Sequence, residues 1–393
     1  MDPTAIITTP TLLFSPMPDR STSNWHEFPL DLAERCVKCA QCLPVCPTWQ
    51  LARHEAESPR GRIALMTAAA DGTAADDSSV RMHLDQCLRC GQCEVVCPAE
   101  VPFLALADAA AAATDAARRA PWQARLLRFL VVRPRLFNRV VVPLLRAASR
   151  LPWLHPLLVP GARPAPSTGT YGPFEAGNGQ TVSLFLGCIA RATDGATLSA
   201  ALRALRIAGY TVRVPRQSCC GALHAHAGEG EAARALHEAN ATAFDDNNPV
   251  VHCASGCAAT LRSVLGARVV DVSTLLARTA ETRVAGADTV LHTPCTLAAT
   301  SEAAGPARLL TGMRPLSARG RCCGAAGEYL LREPALAARL RDEVLDEVGT
   351  AATLCTSNPG CALHLRAGLA KRGMRTTVSH PVLEWLDDDD PSD

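Results

Sequence analysis

The chain has 393 residues and a formal net charge of +1 at pH 7, so it can form two or three compact domains but has no net field that favours nucleic acid. We find no secretory signal in its opening residues, and arginines interrupt its most apolar stretch, so no membrane span is expected. In the reducing cytoplasm that this indicates, 18 cysteines are better explained by metal binding than by disulfides.

The first cysteines form two runs within residues 30–120, after an N-terminal extension over residues 1–29. CVKCAQCLPVCP begins at Cys36 and CLRCGQCEVVCP at Cys87, and both follow the pattern CxxCxxCxxxCP. In bacterial ferredoxins this pattern binds cubane clusters, and the fourth cysteine of each run ligates the other cluster. Crossed in this way, one 4Fe-4S cluster takes Cys36, Cys39, Cys42 and Cys97, and the other takes Cys87, Cys90, Cys93 and Cys46. We therefore expect a helical ferredoxin-like domain that passes single electrons.

The alternative for these runs is a pair of structural zinc sites, which also use CxxC pairs. Zinc needs only four ligands per site and leaves the third CxxC step and the final CysPro unexplained, so clusters are the better interpretation. Between the runs, LARHEAESPRGRIALMTAAADG (residues 51–72) predicts a surface excursion followed by a helix.

Residues 121–180 form an arginine-rich linker, which is predicted to begin as helix and to continue as a segment rich in Pro and Gly. The stretch from Arg118 to Arg150 is basic and amphipathic, so it could lie on anionic lipid or on a partner subunit. A solvated helical linker is the competing interpretation. We expect a cytoplasmic protein, with a peripheral position on the inner face of the plasma membrane as a further option.

Two repeats follow, at residues 181–285 and 286–386, before an acidic tail over residues 387–393. In each repeat, strand-like and helix-like segments alternate, as in TVSLFLGC followed by ATLSAALRALRIAGY. This alternation predicts α/β repeats with parallel sheets, so the whole chain is expected to be a multidomain α+β protein. Each repeat has five cysteines that correspond in order: Cys188, Cys219, Cys220, Cys253 and Cys257 with Cys295, Cys322, Cys323, Cys355 and Cys361.

Each repeat contains an adjacent cysteine pair before a glycine, at Cys219–Gly221 and Cys322–Gly324. A disulfide within such a pair is strained, because consecutive Cα atoms lie about 3.8 Å apart and an unstrained bridge needs at least about 4.4 Å. Inert buried thiols are a second interpretation, although the repetition argues against chance. Ligation of a cluster or a reversible thiol site is the third, with the glycines letting the backbone approach a bulky inorganic group.

Two histidines, His224 and His226, follow the first cysteine pair. They could adjust the potential of a cluster through hydrogen bonds to sulfur. The competing interpretation is a pair of partly exposed polar residues at the start of a helix.

The order of two ferredoxin runs, an arginine-rich linker and two CCG repeats resembles the iron–sulfur subunits of glycolate oxidase. The resemblance rests on PRGRI (Pro59–Ile63), CCGALHAHAGE (Cys219–Glu229), SGC (Ser255–Cys257), CCGAAGEY (Cys322–Tyr329) and NPGC (Asn358–Cys361), besides the two runs. CCG repeats are also similar to those of the CCG-containing subunit of heterodisulfide reductase and of lactate-utilisation proteins. CCGALHAHAGE is the motif that favours the glycolate branch.

The resemblance implies a subunit that collects electrons from flavoprotein subunits oxidising a 2-hydroxy acid, such as glycolate, and delivers them toward quinone or a membrane acceptor. It implies two 4Fe-4S clusters on the eight ferredoxin cysteines. In the heterodisulfide reductase relatives the CCG cysteines bind additional non-cubane clusters. The catalytic residues for the hydroxy acid are then expected on another polypeptide.

The competing function is that of a lactate-utilisation or heterodisulfide-reductase-type CCG protein that acts directly on thiol or disulfide substrates. This chain departs from that resemblance in two places. Its closing cysteines are spaced CxxxC and CxxxxxC instead of CxxC, and Thr293 and Thr296 replace polar groups of a His-Asp-x-Cys-His pattern. Both departures weaken the disulfide-cleaving interpretation.

Overall fold

The computed structural model describes residues 25–74, 78–133, 165–174, 179–317 and 322–386, together with Leu136 and Pro143. Most of the predicted N-terminal extension, the acidic tail, and the linker arginines Arg135, Arg139, Arg146 and Arg150 lie outside the described residues. Within the described ranges, no helix is both long and apolar enough to cross a bilayer.

The ferredoxin-like part is helical and has no strand within residues 25–74 and 78–133. Its helices are α1 (Leu30–Glu34), α2 (Pro47–Ala52), α3 (Pro59–Ala70), α4 (Ser78–Asp85), α5 (Gln92–Val95), α6 (Phe103–Ala113), α7 (Ala116–Arg119) and α8 (Trp122–Val131). Ser58 caps α3, because its hydroxyl accepts the Gly61 N–H at 2.9 Å while Pro59 occupies the first helical position. The helix that follows the predicted excursion is buried, since it packs into a core with Met66 and Leu106 at its centre.

The first repeat folds around a five-stranded sheet in the order β1-β3-β2-β4-β5. The strands are β1 (Gly169–Tyr171), β2 (Thr181–Phe185), β3 (Thr211–Val214), β4 (Val250–His252) and β5 (Val269–Asp271). The helices are α9 (Ile189–Thr193), α10 (Gly195–Ile207), α11 (Ala222–His226), α12 (Gly230–Ala243), α13 (Ser255–Leu265) and α14 (Val272–Thr279). The predicted parallel sheet is confirmed except at β1, which pairs antiparallel with β3. Strand β1 lies within the predicted linker. It has only three residues, and the surrounding Gly and Pro residues favour a loop prediction there.

The second repeat contains a parallel four-stranded sheet in the order β11-β10-β7-β9, with a small sheet of β6 and β8 beside it. The strands are β6 (Arg283–Val284), β7 (Thr289–His292), β8 (Leu310–Thr311), β9 (Arg314–Pro315), β10 (Thr353–Thr356) and β11 (Thr377–Ser379). The helices are α15 (Cys295–Ala298), α16 (Gly305–Leu309), α17 (Tyr329–Arg332), α18 (Pro334–Val348), α19 (Pro359–Lys371) and α20 (Pro381–Trp385).

Each sheet has a switch point, where the order in which successive strands are added reverses. Strand β2 lies between β3 and β4, and β7 lies between β9 and β10, so later strands are added on both sides of these first strands. Crevices form beyond the carboxyl ends of parallel strands at such switch points, and ligands commonly bind there. Cys188 and Cys295 follow β2 and β7 at these two positions.

Arg128 of α8 joins the ferredoxin-like part to both repeats. Its side chain is 3% exposed, and its Nε lies 3.2 Å from Oε2 of Glu229 in the first repeat. A second nitrogen, Nη1, contacts the carboxylate of Glu328 in the second repeat, and Nη2 donates to the Ala117 carbonyl at 2.9 Å. A buried guanidinium requires such partners, because an unpaired buried charge costs several kcal/mol or more.

The sheets also bury polar side chains near their carboxyl ends. His252 ends β4 beside Asp271 at the end of β5, with 3.9 Å between Nδ1 and Oδ2, and His380 follows β11. Burial lowers the pKa of His252 and of His380 to about 3. Burial, together with the charge of Glu302, raises the pKa of Asp271 to about 7.

Candidate functional site

Five cysteines line a cavity in the ferredoxin-like part, and one of them, Cys93, also lines the second cavity described below. Of the other four, Cys36, Cys39 and Cys42 come from the first run and Cys97 from the second, and we call this set cage 1. Of all the cysteines, each of which the structure describes, Cys39 alone is exposed. Cage 1 therefore has an edge at the protein surface.

A second cavity is lined by Cys87, Cys90 and Cys93 of the second run and by Cys46 of the first, and we call this set cage 2. The structure thus brings the cysteines together in the crossed arrangement predicted from the spacing. Burial, and then the proximity of other thiols including Cys46, raises the pKa of Cys90 and Cys93. Thiolates there need a compensating positive charge, which a bound metal supplies.

The two runs fold alike because they share an unusual backbone. Lys38 and Ala40 of the first run have φ of 56° and 71°, and Arg89 and Gly91 of the second have φ of 53° and 73°. These residues occupy equivalent positions in CxxCxxC. A left-handed conformation at two matched positions gives both runs the same loop.

As the structure places them, the thiols of the cages are too far apart to share one metal ion. All 18 cysteines are free thiols, yet among the described residues no three His, Cys, Asp or Glu side chains converge closely enough to hold one ion. A zinc site would bring four sulfurs to about 2.3 Å from one metal, whereas a cubane takes one thiolate at each of its irons.

Arg62, which lies in the PRGRI motif, stabilises cage 2 through buried hydrogen bonds and an ion pair. It is 1% exposed and donates to the Thr48 hydroxyl at 3.0 Å, the Glu57 carbonyl at 2.7 Å and the His83 carbonyl at 2.7 Å. Its Nη2 also pairs with the Glu57 carboxylate at 2.5 Å. Because the Thr48 hydroxyl is 3.3 Å from the Cys46 thiol, this network fixes the cysteine that crosses between the runs.

In the first repeat, four cysteines come together and are named the repeat-1 group: Cys188, Cys219, Cys220 and Cys257. The Cys188 and Cys219 sulfurs lie 3.3 Å apart without a bond between them. Interactions with the Cys219 and Cys257 side chains, followed by burial, raise the pKa of Cys220. The same kind of contact with Cys188 and Cys220 lowers the pKa of Cys219.

In the second repeat, the equivalent positions form the repeat-2 group: Cys295, Cys322, Cys323 and Cys361. Contact with Cys322 and burial raise the pKa of Cys295, and contact with Cys361 and burial raise that of Cys323. Both groups are built alike, since Cys257 and Cys361 are each the third residue of a helix, α13 and α19.

Two of the predicted site residues, Cys253 and Cys355, lie apart from these groups. Cys253 packs in the apolar core of the first sheet, and Cys355 faces Leu291 and Ser379 within the second sheet. They also do not correspond to one another. His252 is the last residue of β4 and Thr356 is the last residue of β10, so these two positions are equivalent. Cys253 therefore corresponds to Ser357, and Cys355 lies two positions before Ser357.

The space beside each CCG glycine is filled by protein. A Cβ on Gly221 would lie 2.7 Å from the His237 ring of α12, and one on Gly324 would lie 2.4 Å from the Ala337 carbonyl of α18. The sequence predicted that these glycines admit an inorganic group. Their missing side chains instead let the following helix approach the cysteine pair.

Cage 2 contacts the repeat-2 group directly. Gln92, between Cys90 and Cys93, donates from Nε2 to the Cys295 carbonyl at 2.5 Å. The buried hydroxyl of Tyr329 has no hydrogen-bond partner among the described residues; burial raises its pKa, and the nearby thiols Cys322 and Cys87 contribute to that rise. The two sets of thiols are therefore neighbours across the domain boundary.

The two repeat groups are also neighbours. Asn358 donates from Nδ2 to the Cys361 sulfur at 3.4 Å, and a Cβ on Gly256, next to Cys257, would lie 3.3 Å from the same side-chain amide. Since Cys93 lines both ferredoxin cavities, all four sets are contiguous. Their order is cage 1, cage 2, repeat-2 group and repeat-1 group.

Little in the sequence points to the residues that connect these sets. A buried arginine such as Arg62 or Arg128 looks like any surface arginine, and Gln92 and Tyr329 carry no metal-ligand signal. PRGRI is recognisable as a motif, but its role depends on Thr48 and Glu57, which lie before it in the chain.

Family models match both halves of the chain. A 4Fe-4S dicluster domain matches residues 32–101, which supports clusters over zinc in the ferredoxin-like part. A cysteine-rich domain, CCG, matches residues 182–262 and 289–366 and so covers both repeats.

Several known proteins are similar to this chain. The glycolate oxidase iron-sulfur subunit of Escherichia coli is 30% identical, and the match covers 90% of this chain and 92% of the relative. The probable glycolate oxidase iron-sulfur subunit of Bacillus subtilis is 28% identical, with 87% and 90% covered. One subunit of a CoM/CoB fumarate reductase from Methanothermobacter marburgensis is 27% identical over 53% of this chain and 46% of its own. Because it is 30% identical to the Escherichia coli subunit along nearly its whole length, the chain belongs to the family of glycolate oxidase iron–sulfur subunits.

Proposed function

We propose that this chain is the electron-transfer subunit of a flavin-dependent glycolate dehydrogenase. The observation that carries the proposal is the contiguity of the four cysteine sets, in a chain whose family relatives are glycolate oxidase subunits. Oxidation of a 2-hydroxy acid to a 2-oxo acid releases two electrons and two protons. Flavoprotein subunits would take these from the acid, and a quinone would finally accept them.

The cofactors in this proposal are two 4Fe-4S clusters in cages 1 and 2 and further iron–sulfur groups, of a type left open, in the repeats. When bound, they would accept and release single electrons. The protein supplies thiolates, excludes water and brings adjacent sets into contact through Gln92, Tyr329 and Asn358. The exposed edge at Cys39 makes cage 1 the accessible end of the row.

The proposal is tested by anaerobic purification of the chain with and without its flavoprotein subunits. We expect the iron content to exceed the roughly eight atoms that two cubanes supply. Glycolate should bleach the visible absorption only in the complex, and Cys295→Ala should retain this bleaching but lose electron delivery to quinone. Cys355→Ala is the matched control, since Cys355 is buried apart from the repeat-2 group. Bleaching by glycolate in the isolated chain would contradict the proposal that flavoprotein subunits, and not this chain, oxidise glycolate.

A second candidate is favoured by the similarity to the CoM/CoB fumarate reductase subunit: chemistry on thiols or disulfides in the repeats. Close thiols such as Cys188 and Cys219 are compatible with it. Turnover of a disulfide substrate by the isolated chain, abolished in Cys220→Ala, would replace the first proposal.

We also propose that α8 rests on an anionic membrane. Trp122, Leu126 and Phe129 are 68%, 44% and 48% exposed and follow one another at helical spacing, so they form an apolar stripe facing outward. Arg133 stacks on Phe129, with its guanidinium carbon 3.7 Å from the ring centroid. Every Asp, Glu, Lys or Arg between Asp115 and Glu175 is an arginine, which complements anionic lipid.

Sedimentation with vesicles tests this surface. The full chain should bind vesicles containing phosphatidylglycerol and should be released by salt, because screening weakens the arginine contribution. Replacing Leu126 and Phe129 by glutamine should weaken binding at least about tenfold, since each buried apolar side chain contributes about 1.5–3 kcal/mol. Ile207→Gln is the control, because Ile207 is equally exposed, at 44%, on α10. Unchanged binding by the double variant would exclude the stripe as the lipid contact.

A further inference from the structure

Two histidines beside the repeat-1 group, His224 and His237, have a buried ring nitrogen with no hydrogen-bond partner among the described residues, and His224 is the more deeply buried side chain. His224 lies in α11, and its side chain is 6% exposed. Its Nε2 is buried and makes no hydrogen bond with any residue that the structure describes. Buried polar atoms are nearly always paired, so an unpaired one indicates a missing partner.

The other ring nitrogen fixes the chemistry of His224. Nδ1 lies 2.5 Å from Oε2 of Glu229, and the same carboxylate oxygen lies 3.2 Å from Nε of Arg128. A carboxylate paired with a guanidinium only accepts hydrogen bonds, so Nδ1 carries the hydrogen. In the neutral ring this leaves a lone pair on Nε2, which is the arrangement found where a carboxylate orients a metal-bound histidine.

The ring is placed beside the cysteine pair. His224 is four residues after Cys220, at the beginning of the helix that the CCG turn starts. The ring is close enough to the Cys219 thiol to contribute to the lowering of its pKa, after the larger effects of Cys188 and Cys220. His226, by contrast, turns away to Asp108 of the ferredoxin-like part, with 3.1 Å between Nδ1 and Oδ1.

The second repeat lacks this residue. The position four after Cys323 is Gly327, and the neighbouring acid Glu328 pairs with Arg128 without an intervening imidazole. The two groups share four cysteines in the same arrangement, and His224 is a buried nitrogen donor that has no counterpart in the second group.

We propose that Nε2 of His224 is a non-cysteine ligand of the iron–sulfur group held by the repeat-1 cysteines, with Glu229 and Arg128 as positioning residues. The inference rests on the proposed function, because it requires iron in the first repeat. It makes the repeat-1 and repeat-2 groups chemically unequal, since one has an imidazole ligand and the other has thiolates alone.

The test is pulsed electron paramagnetic resonance of the reduced full chain labelled with 15N-histidine. We expect a strongly coupled 15N nucleus in the wild type, its loss in His224→Ala, and its retention in His226→Gln and His237→Gln. In His224→Gly, added 15N-imidazole should restore the coupling, which a merely structural role would not allow. Glu229→Gln should change the size of the coupling without removing it.

The iron content separates the possible failures. If iron exceeds about eight atoms per chain but no strongly coupled nitrogen is found, the ligand assignment is wrong while the proposed function stands. Survival of the coupling in His224→Ala, or its loss in His237→Gln alone, also overturns the assignment. If iron stays at about eight, the first repeat holds no cluster, and both the ligand and that part of the proposed function fail.

Discussion

Individual cysteines in the repeats differ in role although the sequence presents them alike. Cys253 and Cys257 are separated by three residues, yet only Cys257 joins the repeat-1 group. Cys253 is 2% exposed among Val182, Leu184 and other core residues, where cysteine acts as a small apolar side chain. Thus burial alone does not identify a ligand in this protein.

We predict that Cys253→Ala keeps the iron content and visible spectrum of the wild type, at a cost of about 1 kcal/mol in stability. Cys257→Ala should lose about one cluster's share of iron, because it removes a thiol from the repeat-1 group. Iron and sulfide analysis after anaerobic purification measures both. Equal iron loss in the two variants would show that Cys253 is a ligand as well.

The grouping of the ferredoxin cysteines could be predicted because their spacing carries the geometry. The grouping of the cysteines in the repeats was harder to predict, because it depends on which strand ends meet at a crevice. Aligning cysteines in order paired Cys253 with Cys355, and strand register was needed to separate them. His224 stands out in the sequence, but its partner Glu229 and the unpaired Nε2 become apparent only in the folded helix.

At the scale of elements, Gly228 sets the distance between the ferredoxin-like part and the first repeat. It follows α11 within CCGALHAHAGE and has φ of 82°. A Cβ there would lie 2.5 Å from the Ala112 nitrogen of α6. The glycine of this motif is therefore required by a close backbone approach between two domains.

Gly228→Ala should destabilise the protein by about 1–2 kcal/mol from its positive φ and by about 1–3 kcal/mol more from the clash with α6. Gly72→Ala is the control, because Gly72 has a similar φ of 78° and nothing within 4 Å of an added Cβ. Thermal unfolding compares the two, and limited proteolysis reports whether the domains separate. Equal melting temperatures would mean that α6 moves aside without cost.

The helices and the longer strands of the repeats could be predicted, because their apolar residues recur with the helical or the strand period over segments long enough to recognise. Gly209, with φ of 85°, follows α10 as the sequence predicted. The short strands β1, β5, β6, β8, β9 and β11 were missed, because two or three residues carry no periodicity. Their positions are fixed by pairing with distant segments, as Gly169 pairs with Val214.

At the scale of the whole molecule, the buried His252, Asp271 and His380 give stability an unusual pH dependence. Between about pH 4 and 7, Asp271 is ionised in the unfolded chain but protonated in the fold, so its contribution to stability falls as pH rises. The two histidines act oppositely, because their lowered pKa values favour unfolding as pH falls below about 6.5.

Asp271→Asn should therefore gain stability relative to the wild type as pH rises from about 5 to about 7.5, by about 2–4 kcal/mol at most. Asp246→Asn is a control whose stability difference from the wild type should stay constant over this range, since the pKa of Asp246 is lowered and the carboxylate is ionised in both the folded and the unfolded chain. Calorimetric melting temperatures across this range measure both differences. A difference for Asp271→Asn that does not change with pH would show that Asp271 is already ionised in the fold.

The bridge at Arg128 also has a consequence for how the protein is made. Glu328 lies 200 residues further along the chain, so a ribosome completes the ferredoxin-like part long before the last partner of Arg128 exists. During that interval the face of cage 2 that later meets Cys295 through Gln92 is open to water. Cage 2 is therefore accessible during translation from a side that the finished protein closes.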